Sequence, residues 1–151
     1  MYKKIMFGTC LTEYCDPIFN FALNLAGENN AKLWIYHGLG RLTGSEAKAA
    51  EAIQAAETKV AEAYVDRMRK QEFTEYFINV STGEVASEIL KLARNAGIDL
   101  IVMGTSDTVP IAAGESINVR PLGPVISETA IGAPCPVLIV PPSLIPGLAS
   151  G

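Results

Sequence analysis

The run Leu100-Ile101-Val102-Met103 stops at Gly104, and a second apolar run, Pro136-Val137-Leu138-Ile139-Val140, follows after a long polar stretch. Short continuous apolar runs rich in β-branched residues are typical of strands in a parallel sheet whose two faces are both covered. Ligands of such sheets bind beyond the carboxyl ends of the strands, where the strand order reverses. The polar stretch after Gly104 is therefore the first place where we expect a function.

Three further apolar runs precede this stretch, and helical patterns alternate with them. The runs are Ile5-Met6-Phe7, Leu33 to His37 and Tyr76 to Val80; the helical patterns lie at 17–27, from Glu46 onward, after Glu84 and near Val125 to Ile131. This alternation predicts an α/β fold, an open parallel sheet of five strands with helices on both faces. Because Pro136 has no N–H for a strand ladder, we place the fifth strand at an edge.

Polar residues predict where the helices begin. Asp16 before Pro17 indicates an N-cap for the first helix. Capping boxes are expected from Thr43 with Glu46 and from Ser81 with Glu84. The inward stripe of the first helix is expected to contain five apolar residues: Ile18, Phe21, Ala22, Leu25 and Ala26.

Composition excludes several classes of protein. The chain has 151 residues, 49% of them apolar and 19% charged, with a net charge of −4. A single domain of this length buries a sufficient core, and its charge offers no footprint for nucleic acid or an anionic membrane. No apolar run approaches the roughly 18 residues of a membrane span, and the N-terminus has no signal-peptide pattern. We expect a cytoplasmic protein that binds neither nucleic acid nor membrane.

The three cysteines, Cys10, Cys15 and Cys135, predict neither a disulfide nor a metal site. Their number is odd, and the spacing of the first two is typical of neither a zinc knuckle nor a redox pair. The single histidine, His37, cannot complete a metal set. We interpret Cys10 as a small buried hydrophobe, because no basic residue near it in sequence would lower its pKa.

Four short segments, spread over nearly the whole chain, carry a resemblance to a known protein family. They are Lys4-Ile5-Met6-Phe7-Gly8-Thr9 with Thr12-Glu13, Gly83-Glu84, Gly97 to Thr105, and Ala133 to Val140. With these segments the chain resembles the universal stress protein family. The resemblance implies a Rossmann-like sheet of order 3-2-1-4-5, a ligand crevice between strands one and four, and a homodimer through strand five. We assign residues 1–141 to this domain and expect a loose tail at 142–151.

The loop that holds ATP in the family's ATP-binding members is altered here. The resemblance implies Gly, two residues, Gly, nine residues, Gly and then Ser or Thr, in which glycines let N–H groups approach phosphates. Gly104 matches the first position, but Asp107 stands at the second. Gly123 matches the third after an insertion of about six residues, and Pro124 replaces the hydroxyl residue. At the end of strand one, Cys10 and Leu11 replace an acidic and a small residue.

Other candidate binding residues lie at the strand ends. The resemblance places Thr9, His37, Gly38 and Thr105 at the crevice, with His37 packed and the backbone after it near an adenine. Arg120 is the only basic residue after Arg94 and is suited to a carboxylate or phosphate. We expect the loop 106–122 to cover the crevice.

Two functions remain open. The favoured one is a dimeric stress protein with a signalling or protective role, which is not an enzyme, requires no cofactor, has room for a further protein partner and does not bind ATP in the usual manner. The other retains ATP or AMP, held through Ser116 and Arg120 in the inserted loop. An adenylate-transferring enzyme is disfavoured because the chain has no Ser-Gly-Gly loop and no His-x-Gly-His signature.

Overall fold

The computed structural model describes residues 1–105 and 122–140, which form alternating strands and helices. In chain order they are β1 (Lys4–Gly8), a 3₁₀ turn (Glu13–Cys15), α1 (Asp16–Asn29), β2 (Lys32–Gly38), α2 (Glu46–Lys70), β3 (Tyr76–Ser81), α3 (Val85–Ala96), β4 (Leu100–Gly104), α4 (Pro124–Gly132) and β5 (Val137–Val140). The predicted α/β alternation is confirmed.

The five strands form one sheet in the order β3-β2-β1-β4-β5, and every neighbouring pair is parallel. The implied order is therefore confirmed, with β5 at one edge and the reversal of strand order between β1 and β4. The carboxylate of Asp99, just before β4, accepts hydrogen bonds from the N–H groups of Lys3 and Lys4 at 2.9 to 3.2 Å. This contact aligns the starts of the two central strands, so their carboxyl ends also lie side by side.

Alternate side chains of the strands enter two separate cores, because the side chains of a strand point alternately to its two faces. Ile5 and Phe7 pack with α1 and α2, whereas Met6 packs with α3 and α4. In the first core Phe19 and Tyr64 lie with ring centroids 4.3 Å apart. Both faces of the sheet are covered, as the apolar runs predicted.

The buried face of α1 differs from the expected one. Phe19 and Leu23 are buried beside Ile18, Ala22 and Ala26, while Phe21 is 42% exposed. The expected cap by Asp16 is also wrong, because the 3₁₀ turn continues directly into the helix and places Cys15 at the N-cap in helical geometry. The Asp16 carboxylate instead pairs with Arg67 of α2 at 3.0 Å.

Neither expected capping box forms. Ser45, rather than Thr43, caps α2 by accepting a hydrogen bond from the N–H of Lys48 at 3.3 Å. Glu84 occupies the N-cap of α3 without a side-chain cap, and the Ser81 hydroxyl bonds to the hydroxyl of Tyr36 at 2.7 Å. At α2 a hydroxyl nearer to the helix provides the cap, and at α3 the Ser81 hydroxyl is bonded to another side chain.

Several expectations concern residues outside the described ranges. These are the phosphate-loop role of Asp107, the anion-binding roles of Ser116 and Arg120, most of the inserted loop, and the tail at 142–151. In the part of the chain that the structure does describe, no helix is long and apolar enough to cross a membrane.

Candidate functional site

A pocket of about 250 Å³ opens at the carboxyl ends of β1, β2 and β4. It lies at the point where the strand order reverses, which is the usual ligand position in open parallel sheets. Strand ends and the first turns of three helices supply its walls: Gly8, Thr9, Cys10, Tyr14, Cys15, Ile18, Tyr36, His37, Gly38, Val85, Ile89, Met103, Gly104, Thr105, Val125 and Ile126.

The segment after β1 folds back on itself and forms the floor of the pocket. Leu11 adopts a left-handed conformation, with φ of 61°, and its N–H donates to the Thr9 hydroxyl oxygen at 3.0 Å. The N–H of Cys15 then donates to the carbonyl of Thr12 at 3.0 Å, within the 3₁₀ turn. A left-handed non-glycine residue costs roughly 1–2 kcal/mol. These bonds hold that conformation and return Cys15 to the side of Cys10.

The two thiols are in direct contact, with Cys10 Sγ and Cys15 Sγ 2.8 Å apart. Cys10 Sγ also lies 3.1 Å from the Thr12 hydroxyl oxygen. Hydrogen bonds from the Cys15 thiol, the Thr12 hydroxyl and the Thr12 N–H lower the pKa of Cys10 to about 5, although burial opposes this shift. The same thiol contact and burial raise the pKa of Cys15.

Cys10 is therefore not the small buried hydrophobe that we expected from the sequence. Its side chain is only partly buried, and the group that lowers its pKa is a second thiol rather than the basic residue that the sequence lacked. Hydrogen-bond donors stabilise a thiolate in the same way that they stabilise a carboxylate.

Thr9 links the floor of the pocket to α2 and β2, through hydrogen bonds with Tyr64 and His37. The Thr9 hydroxyl bonds to the Tyr64 hydroxyl of α2 in the first core. His37 Nδ1 lies 2.8 Å from the backbone carbonyl of Thr9, and because a carbonyl only accepts, this nitrogen carries the proton. His37 is thus packed against β1, as expected, while its ring also lines the pocket.

The base of the inserted loop is closed at the rim of the pocket. The N–H of Gly123 donates to the carbonyl of Thr105 at 3.2 Å, across the segment 106–121. Gly123 is the N-cap of α4 and Pro124 is in its first turn. Neither of these two residues has an N–H left for a phosphate, because that of Gly123 is used and Pro124 has none.

The pocket is apolar and uncharged over most of its described wall. None of the described residues that line it is Lys or Arg. Nor does the described part of the chain contain a group of three or more His, Cys, Asp or Glu side chains able to hold a metal ion. Such a wall favours a flat apolar group such as a base ring over a chain of phosphates.

Six of the predicted site residues come together here: Thr9, Cys10, His37, Gly38, Gly104 and Thr105. Gly123 and Pro124 lie beside the pocket, at the start of the helix whose next two residues line it. Asp107 and Arg120 fall outside the described residues. The other lining residues were not predicted as site residues, among them Tyr14, Cys15 and Ile18 after β1. Of these three only Cys15 carried a signal, as a second thiol in the same short turn.

Comparison with known proteins agrees with this geometry. The profile of the Universal stress protein family matches residues 1–141. The chain belongs to this family. No curated protein sequence matches it closely enough to count as a relative.

Several universal stress protein structures share the fold over nearly their whole length. A universal stress protein in complex with cAMP has a TM-score of 0.71 and 23% identity, covering 92% of this chain and 97% of its own. UspA from Lactobacillus plantarum has a TM-score of 0.65 and 20% identity, with the same coverage of 92% and 97%. An Archaeoglobus fulgidus universal stress protein in complex with dAMP has a TM-score of 0.57 and 17% identity, covering 91% and 97%. At these identities the similarity supports the fold alone.

Proposed function

We propose that this universal stress protein is a dimeric cytoplasmic stress-response module that acts through binding and not as an enzyme. We further propose that it does not hold ATP in the manner implied for the ATP-binding members of the family. The observation that carries the proposal is that none of the described residues lining the pocket is Lys or Arg. A triphosphate needs charge-assisted hydrogen bonds. Where the wall has no Lys or Arg, these bonds must come from backbone N–H groups.

The start of α4 supports the same proposal. A helix N-terminus binds phosphate through its free N–H groups, but Pro124 has none and Gly123 donates to Thr105. Each charge-assisted hydrogen bond is worth roughly 1.5–3 kcal/mol. Losing two of them would raise the dissociation constant for ATP by about a hundredfold or more.

A second candidate function is binding of a small adenine nucleotide such as AMP or cAMP. The pocket favours it because its apolar wall suits a base ring. Related proteins have been described in complex with cAMP and with dAMP. In this case the candidate donors for the sugar and the single phosphate are Ser116 and Arg120, which lie outside the described residues.

Calorimetric titration separates the two candidates. Magnesium ATP, AMP and cAMP are titrated into the purified protein, and mass spectrometry identifies any ligand that copurifies with it. We expect no low-micromolar binding of magnesium ATP. Such binding would contradict the proposal, and micromolar binding of AMP or cAMP alone would favour the second function.

A repaired variant tests the reason for weak ATP binding. Cys10→Asp, Asp107→Gly and Pro124→Ser together restore the residues that the family resemblance implies. We expect this variant to gain ATP affinity, whereas a Cys135→Ser control should not. Without a gain in the folded variant, these three replacements are not the reason that ATP binds weakly.

A further inference from the structure

The floor of the pocket holds two thiols rather than one. Cys10 Sγ and Cys15 Sγ are 2.8 Å apart, compared with about 2.03–2.05 Å in a disulfide. A bond between them therefore requires a movement of less than about 1 Å in the sulfur separation. Both residues belong to one short turn, so no domain or subunit needs to move.

The backbone fixes this approach. Leu11, which follows Cys10, is held in its left-handed conformation by the hydrogen bond from its N–H to Thr9. The 3₁₀ turn then brings Cys15 back, and the N–H of Cys10 lies 3.4 Å from Cys15 Sγ. Strained non-glycine residues concentrate at functional sites, where the surrounding structure enforces them.

The two sulfur atoms are not equivalent. Cys15 is buried, with 7% of its surface exposed, while Cys10 is only partly buried in the pocket wall. Cys10 Sγ also faces the Thr12 hydroxyl. This asymmetry gives one accessible thiol, stabilised as a thiolate, and one covered thiol beside it.

We propose that Cys10 and Cys15 form a peroxide-reactive dithiol site, in which Cys10 attacks a hydroperoxide from the pocket and Cys15 resolves the product as an intramolecular disulfide. The proposal rests on the contact between the sulfur atoms and on their unequal exposure. It does not rest on the proposed function, because it requires no nucleotide and no dimer.

The chemistry balances with a hydroperoxide, ROOH, as the oxidant. The Cys10 thiolate attacks the terminal peroxide oxygen, so a sulfur–oxygen bond forms, the oxygen–oxygen bond breaks, and RO⁻ leaves and takes a proton from solvent. The Cys15 sulfur then attacks the Cys10 sulfenic acid, and hydroxide leaves with the Cys15 proton as water. The two thiols lose two electrons in total, and ROOH is reduced to ROH and water.

Several titratable groups surround the reacting sulfur. Besides Cys15, the pocket contains Tyr14 and His37, and Tyr64 and Asp16 lie behind the turn. The lowered pKa of Cys10 keeps it ionised in weak acid. The third thiol, Cys135, has a pKa raised by burial and by Asp99. Since Cys135 is also partly buried, it is a matched control within the same molecule.

The first experiment uses the reduced wild-type protein. Hydrogen peroxide is added at about pH 6, where the thiolate fraction, and not intrinsic nucleophilicity, separates the two sites. Remaining thiols are alkylated, and the masses of the tryptic peptides are measured by mass spectrometry. Cys10 and Cys15 lie together in peptide 5–32, and Cys135 lies in a different peptide. We expect a disulfide to form in peptide 5–32, which lowers its mass by two hydrogens and prevents its alkylation. The rate of this oxidation should be at least about tenfold higher than the rate at which Cys135 is oxidised.

The second experiment assigns the two roles. In Cys15→Ser, we expect the Cys10 sulfenic acid to persist and to be trapped by a cyclic 1,3-diketone; in Cys10→Ser, peptide 5–32 should oxidise no faster than Cys135. Circular dichroism checks that each variant is folded. Equal rates for peptide 5–32 and Cys135 in the wild type would overturn the proposal even if neither variant folded, and so would a disulfide formed only between molecules.

Discussion

At the scale of single residues, the reactivity of Cys10 is expected to depend on pH in a way that no isolated cysteine shows. Its pKa is lowered to about 5 by the Cys15 thiol and by Thr12. Below that pH the sulfur is protonated and unreactive, and above it the thiolate dominates. The rate of alkylation by iodoacetamide should therefore reach half its maximum near pH 5, and a midpoint above about 8 would contradict the assignment.

Thr12 gives a matched pair of variants for this measurement. Thr12→Val removes the hydroxyl that lies 3.1 Å from Cys10 Sγ. A hydrogen bond to a charged group is worth roughly 1.5–3 kcal/mol, and partial exposure favours the lower end, so we expect the midpoint to rise by about one pH unit. Thr12→Ser keeps the hydroxyl and should leave the midpoint unchanged. A shift in the serine variant as large as in the valine variant would show that packing, not the hydroxyl, sets the pKa.

The contact between Cys10 and Cys15 could not be predicted from the sequence, for a physical reason. The turn closes because Leu11 has positive φ, and leucine has no preference for that conformation. The Thr9 hydroxyl that stabilises it is itself held by Tyr64, which lies far along the chain. The residues at the strand ends were predictable, whereas this tertiary support was not.

At the scale of elements, the strands were more predictable than the ends of the helices. The central strands β1 and β4 are nearly continuous apolar runs because both of their faces are covered, so their places can be read from the sequence pattern. A helix cap depends on which of several neighbouring polar side chains accepts the hydrogen bond from a backbone N–H of the first turn. Ser45 replaced Thr43 at α2, and Ser81 bonded to Tyr36 rather than capping α3.

The close contact between the end of β2 and the start of α3 leaves no room for a side chain at Gly38. A Cβ added at Gly38 would lie 2.9 Å from both γ-carbons of Val85, and the β-branched valine cannot easily rotate away. We expect Gly38→Ala to lower the free energy of unfolding by about 1–3 kcal/mol, measured by urea denaturation.

Gly27 of α1 provides the contrast for that measurement. It is helical and exposed, and an added Cβ would meet nothing within 4 Å. Gly27→Ala should therefore raise the free energy of unfolding by up to about 1 kcal/mol, through helix propensity. If Gly38→Ala were as stable as the wild type, the contact between β2 and α3 would be looser than the structure indicates.

At the scale of the whole molecule, the edge strand β5 is the surface on which the proposed dimer depends. An edge strand presents unpaired backbone groups that invite pairing with another chain. Leu138 of this strand is 36% exposed, while Ile139 packs against the core formed with α3 and α4. The outward side chain of β5 is therefore Leu138, and a charge at Ile139 would also disturb the fold.

We expect the wild-type protein to sediment as a homodimer at concentrations of about tens of micromolar, and Leu138→Asp to sediment as a monomer. The introduced carboxylate would lose its hydration in an apolar contact between two copies, which costs several kcal/mol, but it stays solvated in the monomer. Phe77→Asp, on β3 at the opposite edge and 43% exposed, is the matched control and should remain a dimer. A monomeric wild type would refute the dimer itself. A dimer that survives Leu138→Asp but is lost in Phe77→Asp would move the interface to the β3 edge.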